Sequence, residues 1–275
     1  MFITDLDGTL ANVHHQISSE SVKVLHELGE RGVIRVIATG RNLHSSRKVL
    51  SPSLPFDYLI FSGGVGIIDW PQGELLHSSL LSPSDVSTSA RWLLTEGFDF
   101  MIQASVPDNH HFQFWKSRPV NPDFQRRCEV YAPYCRPWDA GQFLSEASQI
   151  IVVESGERGI DSYRRIQDRF PHLSVVRSTS PLDHQSVWIE LSAPGVTKAA
   201  AAAWICRRLN ISGESTAAVG NDYNDLHLLD WVSSAYVVGN APPELQARYQ
   251  VVTSNEADGF AAAVRDWWLR NGQKR

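Results

Sequence analysis

Short runs of hydrophobic residues alternate along the chain with longer segments whose apolar positions recur every three to four residues. Runs of the first kind are typical of strands buried in a parallel sheet, and segments of the second kind are typical of helices that cover it. The pattern predicts core strands at residues 1–5, 33–38, 57–62, 216–219 and 235–238. It predicts helices at residues 19–31, 198–208, 223–229 and 257–269. The expected fold class is therefore α/β, with a Rossmann-like parallel-sheet core and helices on both faces.

The pattern changes in the middle of the chain. Between residues 82 and 187, aromatic residues, proline, arginine and histidine become more frequent, and strand-like runs mix irregularly with helical ones. The regular alternation returns after Pro194. We therefore predict that residues 82–187 form an inserted α+β domain, and that residues 1–81 and 188–275 together form the core.

Composition narrows the classes of partner. The chain has 275 residues, 43% of them hydrophobic, and 25 Lys and Arg against 30 Asp and Glu give it a net charge of −5. A mildly acidic protein gains little from a nucleic-acid backbone. Its three cysteines fit a reducing compartment better than a disulfide framework. No apolar run reaches the roughly 18 residues that span a bilayer, and no signal-peptide pattern is evident. We expect a cytoplasmic protein with neither nucleic-acid nor membrane partners.

Two carboxylates lie at the end of the first predicted strand and just beyond it. Asp5 and Asp7 belong to the run Asp-Leu-Asp-Gly-Thr, in which Gly8 permits the chain to bend away from the strand. Such a pair can divide the work of phosphoryl transfer, because Asp5 can attack phosphorus while Asp7 protonates the leaving oxygen and later activates water. An aspartate-rich turn is the structural alternative. The four fixed positions of the run favour the functional interpretation.

Two weaker signals point to an anion. Thr39 and Gly40 follow the strand predicted at residues 33–38, where a hydroxyl and a backbone N–H can seat a phosphate. Arg41, taken alone, is most simply a salt-bridged surface residue. Lys198 lies in the first turn of a predicted helix, where its charge opposes the helix dipole. A bound anion would compensate for that charge, although a lysine at such a position is most simply solvated.

A fourth polar segment follows the strand predicted at residues 216–219. It crowds two amides and two carboxylates, those of Asn221, Asp222, Asn224 and Asp225, into a few positions. Oxygen ligands of this kind suit a hard cation such as Mg²⁺. The structural alternative is a cluster of residues that cap the next helix.

Taken in this order, the four segments resemble the motifs of the haloacid dehalogenase superfamily of phosphohydrolases. Only a loop, one helix and one strand fit between Leu10 and Thr39, whereas a domain-sized stretch separates Thr39 from Lys198. That layout is similar to the Cof-like members, which carry a type 2 cap. The run at residues 61–67 also resembles the Asn-Gly-Ala segment that precedes their cap, with Ser62 where Asn is usual.

The resemblance implies a function for each segment. Asp5 would be the nucleophile, Asp7 the general acid and base, and residues 82–187 the cap that sets substrate specificity. Mg²⁺ would be held by the Asp5 carboxylate, the Asp7 carbonyl and the fourth segment. The phosphate would be bound by the backbone of Leu6 and by Thr39, Gly40, Lys198 and Asn224.

The fourth segment departs from the family pattern at one metal ligand. The family has Gly-Asp-x-x-Asn-Asp, and this chain has Asn221 in place of the first Asp. Asn221 could ligate the metal through its amide oxygen, with Asp225 supplying charge directly or through an oriented water. Alternatively, the loop shifts by one residue and Asp222 becomes the ligand. We favour Asn221, because Asn224 and Asp225 keep the family spacing.

The expected activity is Mg²⁺-dependent hydrolysis of small phosphomonoesters, such as sugar phosphates or related metabolites, through an aspartyl phosphate on Asp5. Phosphomannomutase-like proteins share the motifs and the cap type, so a phosphomutase or phosphotransferase is the alternative among enzymes. A non-catalytic sensor of phosphorylated ligands is the alternative of another class. The pair of Asp5 and Asp7 argues against a sensor, because a sensor needs no nucleophile.

Overall fold

The computed structural model of the chain describes residues 1–142 and 144–272. Within these residues the chain divides into two compact units. The first unit contains Met1–Arg41, Ser46–His77 and the chain from Thr197 onward, and the second contains Asn42–Ser45 and Ser78–Val196. Each unit is built on a β-sheet of its own.

The strands and helices of the described residues are numbered in chain order. The strands are β1 (Phe2–Thr4), β2 (Arg35–Ala38), β3 (Tyr58–Phe61), β4 (Gly66–Asp69), β5 (Glu74–Ser78), β6 (Phe100–Gln103), β7 (Phe112–Trp115), β8 (Cys135–Pro137), β9 (Ile150–Glu154), β10 (Ser174–Thr179), β11 (Val187–Ser192), β12 (Ala217–Gly220), β13 (Ser234–Val237) and β14 (Gln250–Val251). The α-helices are α1 (Ser19–Glu30), α2 (Leu43–Val49), α3 (Pro83–Thr95), α4 (Pro122–Val130), α5 (Gly156–Arg169), α6 (Lys198–Leu209), α7 (Leu226–Trp231), α8 (Pro243–Gln246) and α9 (Gly259–Gly272). None of these helices is long and apolar enough to cross a membrane.

The sheet of the first unit has the strand order β14-β13-β12-β1-β2-β3-β4-β5. The strands from β14 to β3 run parallel to their neighbours, and β4 runs antiparallel to β3. Because β12, β1 and β2 are parallel and adjacent, their carboxyl ends meet at one edge of the sheet. Ligands of open α/β sheets bind at such an edge.

Helices cover both faces of this sheet. Successive residues of a strand point to opposite sides, so two neighbouring residues of β1 show which helix covers each face. Ile3 of β1 belongs to a buried cluster that includes Ile205 of α6. Its neighbour Phe2 contacts the rings of Phe260 and Trp267 on α9. Full burial of one such side chain contributes about 1.5–3 kcal/mol to stability. The predicted α/β class, with helices on both faces of a parallel sheet, is confirmed.

The sheet of the second unit is mostly antiparallel, with the order β10-β11-β9-β6-β7-β8, and only β7 and β8 pair in parallel. Phe100 of β6 packs in a cluster with Leu93 of α3 and Ile166 of α5. The next residue, Met101, belongs to a separate cluster with Phe124 of α4. The two faces of the sheet therefore have separate cores, and the unit has an α+β architecture.

The second unit extends beyond the insert predicted at residues 82–187. It begins at Ser78 and continues to Val196. The reason lies in β11, which pairs along its length with β9 and β10 and so belongs to the second sheet. A hydrophobic run in a sequence predicts a strand without predicting which sheet the strand joins. The boundary at residue 188 therefore falls inside β11.

Candidate active site

Three of the four polar segments begin where adjacent strands of the first sheet end. Asp5 follows β1, Thr39 follows β2 and Asn221 follows β12. Lys198, from the remaining segment, is the first residue of α6. The parallel pairing of these strands brings their carboxyl ends to the same edge of the sheet.

The Lys198 side chain connects these segments. Its Nζ donates to Asp5 Oδ1 at 2.6 Å, to Asp225 Oδ1 at 2.7 Å and to Asn224 Oδ1 at 3.4 Å. The residue is only 2% exposed, so the alternative of a solvated lysine is wrong. A buried charge requires charged or hydrogen-bonding partners, and two carboxylates provide them here.

Burial and charge oppose each other in this cluster. Burial raises the pKa of Asp5 to about 7, an effect that the positive charge of Lys198 reduces and the negative charge of Asp225 increases. Burial alone would lower the pKa of Lys198, but Asp225 and Asp5 outweigh it and raise that pKa above its usual value. Lys198 therefore remains protonated at neutral pH, and places a fixed positive charge beside the Asp5 carboxylate.

The start of α6 is held against the loop that follows β3. Thr197 caps the helix, since its hydroxyl accepts a hydrogen bond from the Ala200 N–H at 3.0 Å. A Cβ atom on Gly64 would lie 2.4 Å from the Thr197 carbonyl oxygen, so the loop requires glycine at this contact. In the same loop Ser62 has a φ of 51°, and asparagine is enriched in that left-handed region. This conformation gives a physical reason for the Asn that the Cof-like segment has at the position of Ser62.

Asp225 holds the loop that follows β12. It is fully buried, and its Oδ2 accepts hydrogen bonds from the backbone N–H of Asn221 at 3.0 Å and of Asp222 at 3.2 Å. A Cβ atom on Gly220 would lie 2.5 Å from the same oxygen, so glycine leaves room for the carboxylate. Asp222 itself is the N-cap residue of the 3₁₀ turn that follows.

The side chain of Asn221 lies against the turn after β1. In the orientation that satisfies its hydrogen bonds, the amide nitrogen donates to the Asp7 carbonyl oxygen at 3.1 Å and to Asp5 Oδ2 at 3.2 Å. Gly8 has a φ of 74°, as the predicted bend requires, and a Cβ atom there would lie 2.6 Å from the other terminal atom of the same amide group. A carbonyl oxygen and a carboxylate oxygen therefore face one point beside an amide.

These donors fit Mg²⁺, which prefers oxygen ligands. Rotation of the Asn221 amide would add its oxygen to those of Asp5 and Asp7. Among residues 1–142 and 144–272, no three His, Cys, Asp or Glu side chains form a group that could hold a metal ion. The oxygen set at this point is of a different kind, because it includes a backbone carbonyl and an amide. Asp225 has both carboxylate oxygens bound by Lys198 and the loop backbone, which suits an indirect role.

Asp7 has a partner that sequence reasoning did not identify. Arg41 donates from Nε to Asp7 Oδ2 and from Nη2 to Oδ1, both at 2.7 Å. His15 lies beside the pair, with its Nδ1 3.3 Å from Asp7 Oδ1. Arg41 is thus salt-bridged, as expected from the residue alone, but its partner is the predicted acid and base. Local sequence patterns do not relate two residues that lie 34 positions apart.

The remaining predicted phosphate contacts lie around the same edge. Leu6 is fully buried between the two aspartates, and its carbonyl accepts a hydrogen bond from the Ala11 N–H at 2.8 Å. The Thr39 hydroxyl accepts a hydrogen bond from the Arg41 N–H at 3.1 Å. Because a hydroxyl group also carries one donor, the Thr39 proton remains available to a ligand. Gly40 lies between these two residues.

Comparisons with known proteins agree over nearly the whole chain. A family model described as haloacid dehalogenase-like hydrolase matches residues 2–264. The phosphatase YwpJ of Bacillus subtilis (strain 168) is 24% identical, over 95% of this chain and 97% of the relative. The 5-amino-6-(5-phospho-D-ribitylamino)uracil phosphatase YcsE of the same strain is 26% identical, over 96% of this chain and 94% of the relative.

The fold has matches among solved structures. The sugar phosphatase BT4131, described as a member of subclass IIB of the same superfamily, superposes with a TM-score of 0.76 over 97% of this chain and 98% of that one, at 18% identity. At that identity the likeness shows the fold alone. The family match over residues 2–264 confirms the resemblance of the chain to this superfamily. The chain therefore belongs to the haloacid dehalogenase-like hydrolase family, among its Cof-like phosphatases.

Proposed function

We propose that this phosphatase depends on Mg²⁺ and hydrolyses small phosphomonoesters, such as sugar phosphates or related metabolites, through an aspartyl phosphate on Asp5. The contact between Asp5 and Lys198 carries the proposal. Asp5 is 5% exposed at the end of the central strand, and its Oδ1 lies 2.6 Å from a buried ammonium group. A fixed cation beside a nucleophile stabilises the charge of a phosphoryl group during transfer.

The reaction has two steps. In the first, an Asp5 oxygen forms a bond to phosphorus, the bond to the leaving oxygen breaks, and Asp7 gives its proton to that oxygen. In the second, water attacks the phosphorus, Asp7 takes up the proton of the water, and the bond to Asp5 breaks to release inorganic phosphate. Mg²⁺, when bound by Asp5, the Asp7 carbonyl and Asn221, would neutralise charge on the phosphoryl oxygens.

The phosphate site of the proposal draws on several segments. Its contacts are the Leu6 backbone, Thr39, Gly40, Lys198 and Asn224. Two observations support it: the Thr39 hydroxyl has a donor to offer, and the Asn224 amide oxygen lies 3.4 Å from Lys198 Nζ. Lys198 would then exchange part of its carboxylate contact for the phosphoryl oxygens.

The substrate class of the proposal follows two relatives. YcsE is named for a phosphorylated ribitylamino compound, and BT4131 is named as a sugar phosphatase. We assign the selection of the substrate to the second unit, which would act as a cap that keeps bulk water from the reacting groups.

A panel of phosphorylated metabolites tests the proposed function. We expect inorganic phosphate to be released from some sugar phosphates, and more slowly from a generic aryl phosphate, only when Mg²⁺ is present. Chromatography of the products on a hexose phosphate distinguishes hydrolysis from a mutase, because a mutase returns an isomer without free phosphate. Tight binding without turnover on any substrate would instead support the sensor.

The metal site makes a separate prediction about Asn221. Asn221→Asp should be tolerated and should lower the Mg²⁺ concentration at half-maximal activity, because a carboxylate brings formal charge to the ion. Asp225→Asn should raise that concentration by about tenfold or more, the scale for loss of a supporting contact. Asp222→Ala, at the turn cap, should leave it almost unchanged. Activity measured against Mg²⁺ concentration gives all three values.

The matched comparison is between the neighbouring positions 221 and 222. A large rise in the Mg²⁺ requirement of Asp222→Ala, together with a small one in Asn221→Ala, would assign the ligand to Asp222. Circular dichroism of each variant shows whether a lost activity reflects a lost fold.

A further inference from the structure

We infer that Arg41 is a positioning residue for Asp7, and that it fixes the orientation in which this carboxylate exchanges protons. The inference rests on the proposed function of Asp7 as acid and base. Arg41 makes two parallel hydrogen bonds to Asp7, each of 2.7 Å. A planar guanidinium paired in this way with a carboxylate sets its orientation as well as its distance.

The pair is needed because Asp7 is not enclosed. The side chain of Asp7 is 30% exposed and that of Arg41 is 19% exposed, whereas Asp5 is buried. A partly exposed carboxylate can adopt several rotamers unless a partner selects one. Catalysis by a positioned group is sensitive to such freedom, since a displacement of about 1 Å can lower a rate about 100-fold.

The backbone of Arg41 is itself fixed from two sides. Its N–H donates to Thr39 Oγ1 at 3.1 Å, and its carbonyl accepts a hydrogen bond from the Ser62 N–H at 2.8 Å. The turn that carries the proposed phosphate contact Thr39 therefore also carries the group that orients Asp7. The same backbone turn therefore positions both the proposed phosphate contact and the side chain that orients the proposed acid and base.

His15 adds a third contact to the pair. Its Nδ1 lies 3.1 Å from Arg41 Nη2 and 3.3 Å from Asp7 Oδ1. A guanidinium only donates and a carboxylate only accepts, so Nδ1 can bind one or the other according to its tautomer. His15 has a φ of 58°, a left-handed conformation uncommon for residues other than glycine, and it forms part of a turn closed by Asn12.

Two substrates with different leaving groups can show whether Arg41 acts through Asp7. The alkoxide of a sugar phosphate needs a proton as it departs, whereas 2,4-dinitrophenolate is stable without one. The second step needs Asp7 as a base for either substrate. A misplaced Asp7 should therefore slow both steps with a sugar phosphate, but only the second step with the dinitrophenyl ester.

The variant Arg41→Lys tests the inference, because it keeps the positive charge and removes the two parallel hydrogen bonds. Arg35→Lys is the matched control. Arg35 binds Asp57 through Nε at 2.9 Å and Nη2 at 2.7 Å, and its side chain is 18% exposed. The control thus removes an equivalent pair of hydrogen bonds from an arginine of similar exposure. This arginine belongs to the same sheet and lies outside the four polar segments.

We expect Arg41→Lys to lower kcat on a sugar phosphate by about 10- to 100-fold, with little change in KM. With 2,4-dinitrophenyl phosphate it should give a rapid burst of one dinitrophenolate per enzyme, followed by slow turnover. In an Asp7→Asn background, Arg41→Lys should cause no further loss, because the group that it orients is already disabled. Arg35→Lys should behave like the wild type in each assay.

Three results would overturn the inference while leaving the proposed function intact. One is a raised KM with unchanged kcat, which would make Arg41 a substrate contact. Another is an equal loss in Arg41→Lys and Arg35→Lys, which would be an effect on stability. The third is a full additional loss in the Asp7→Asn background. Failure of the wild type to release phosphate from any substrate would instead reject the proposed function.

Discussion

Asp5→Asn should lower the rate of phosphate release by about three orders of magnitude or more while the protein remains folded. The amide keeps the size of the carboxylate and can still accept a hydrogen bond from Lys198, but it is not a nucleophile toward phosphorus. Enzymes of this kind lower barriers by about 8–23 kcal/mol, so the loss of the covalent route is large on this scale. Steady-state phosphate release with excess Mg²⁺ measures the effect.

The intermediate gives a second measurement for the same change. Acid-quenched wild-type enzyme should carry one phosphoryl group on the peptide that contains Asp5, and the variant should carry none. Asp222→Asn, at a neighbouring polar position outside the proposed machinery, should keep both activity and label. If Asp5→Asn retains more than a few per cent of the wild-type rate, the covalent mechanism is wrong.

Lys198→Met should destabilise the folded protein as well as inactivate it. It leaves the carboxylates of Asp5 and Asp225 buried without their shared cation, and the loss of one partner of a buried ion pair costs about 3–5 kcal/mol. Urea unfolding in the presence of a chelator measures the difference from the wild type. The exposed pair of Lys23 and Glu27, with 3.9 Å between its charged atoms, provides the control, since Lys23→Met should cost less than about 1 kcal/mol.

The pH dependence of that deficit has a definite sign. Burial already raises the pKa of Asp5 to about 7 with Lys198 present, and removal of the cation raises it further. Folding of the variant then takes up more protons than folding of the wild type, so the stability of the variant relative to the wild type rises as the pH falls. The deficit in unfolding free energy should be smaller at pH 5.5 than at pH 8. A deficit that grows toward acid pH would contradict the arrangement of this cluster.

The local pattern of hydrophobic and polar residues was sufficient to predict the core strands and the polar segments that follow them. Asp5, Thr39 and Asn221 each come directly after a short hydrophobic run, and the topology of parallel sheets brings such positions together. The burial of Lys198 could not be predicted in this way. It depends on contact with Asp5, 193 positions away, and nothing in the alanine-rich surroundings of Lys198 indicates two facing carboxylates.

Pairings between polar residues that are distant in the sequence could not be predicted either. Arg41 has the same local signature whether it binds solvent, a substrate or Asp7, and only the geometry of the turn after β2 distinguishes these. The boundary predicted at residue 188 falls inside β11 for a related reason, because a hydrophobic run of this kind suits either sheet. Periodicity shows that a strand is buried, whereas backbone hydrogen bonds determine its neighbours.

The pairing of β1 with β12 also sets an order of events on the ribosome. Phe2 pairs with Ala217, so the centre of the first sheet cannot close until the chain has been made as far as β12. The residues of the second unit end at Val196, so all of them are made before β12. Asp5 is made before Lys198 and Asp225, and its contacts with them wait until both have followed. The proposed nucleophile therefore gains its cation only after every residue of the second unit has been made.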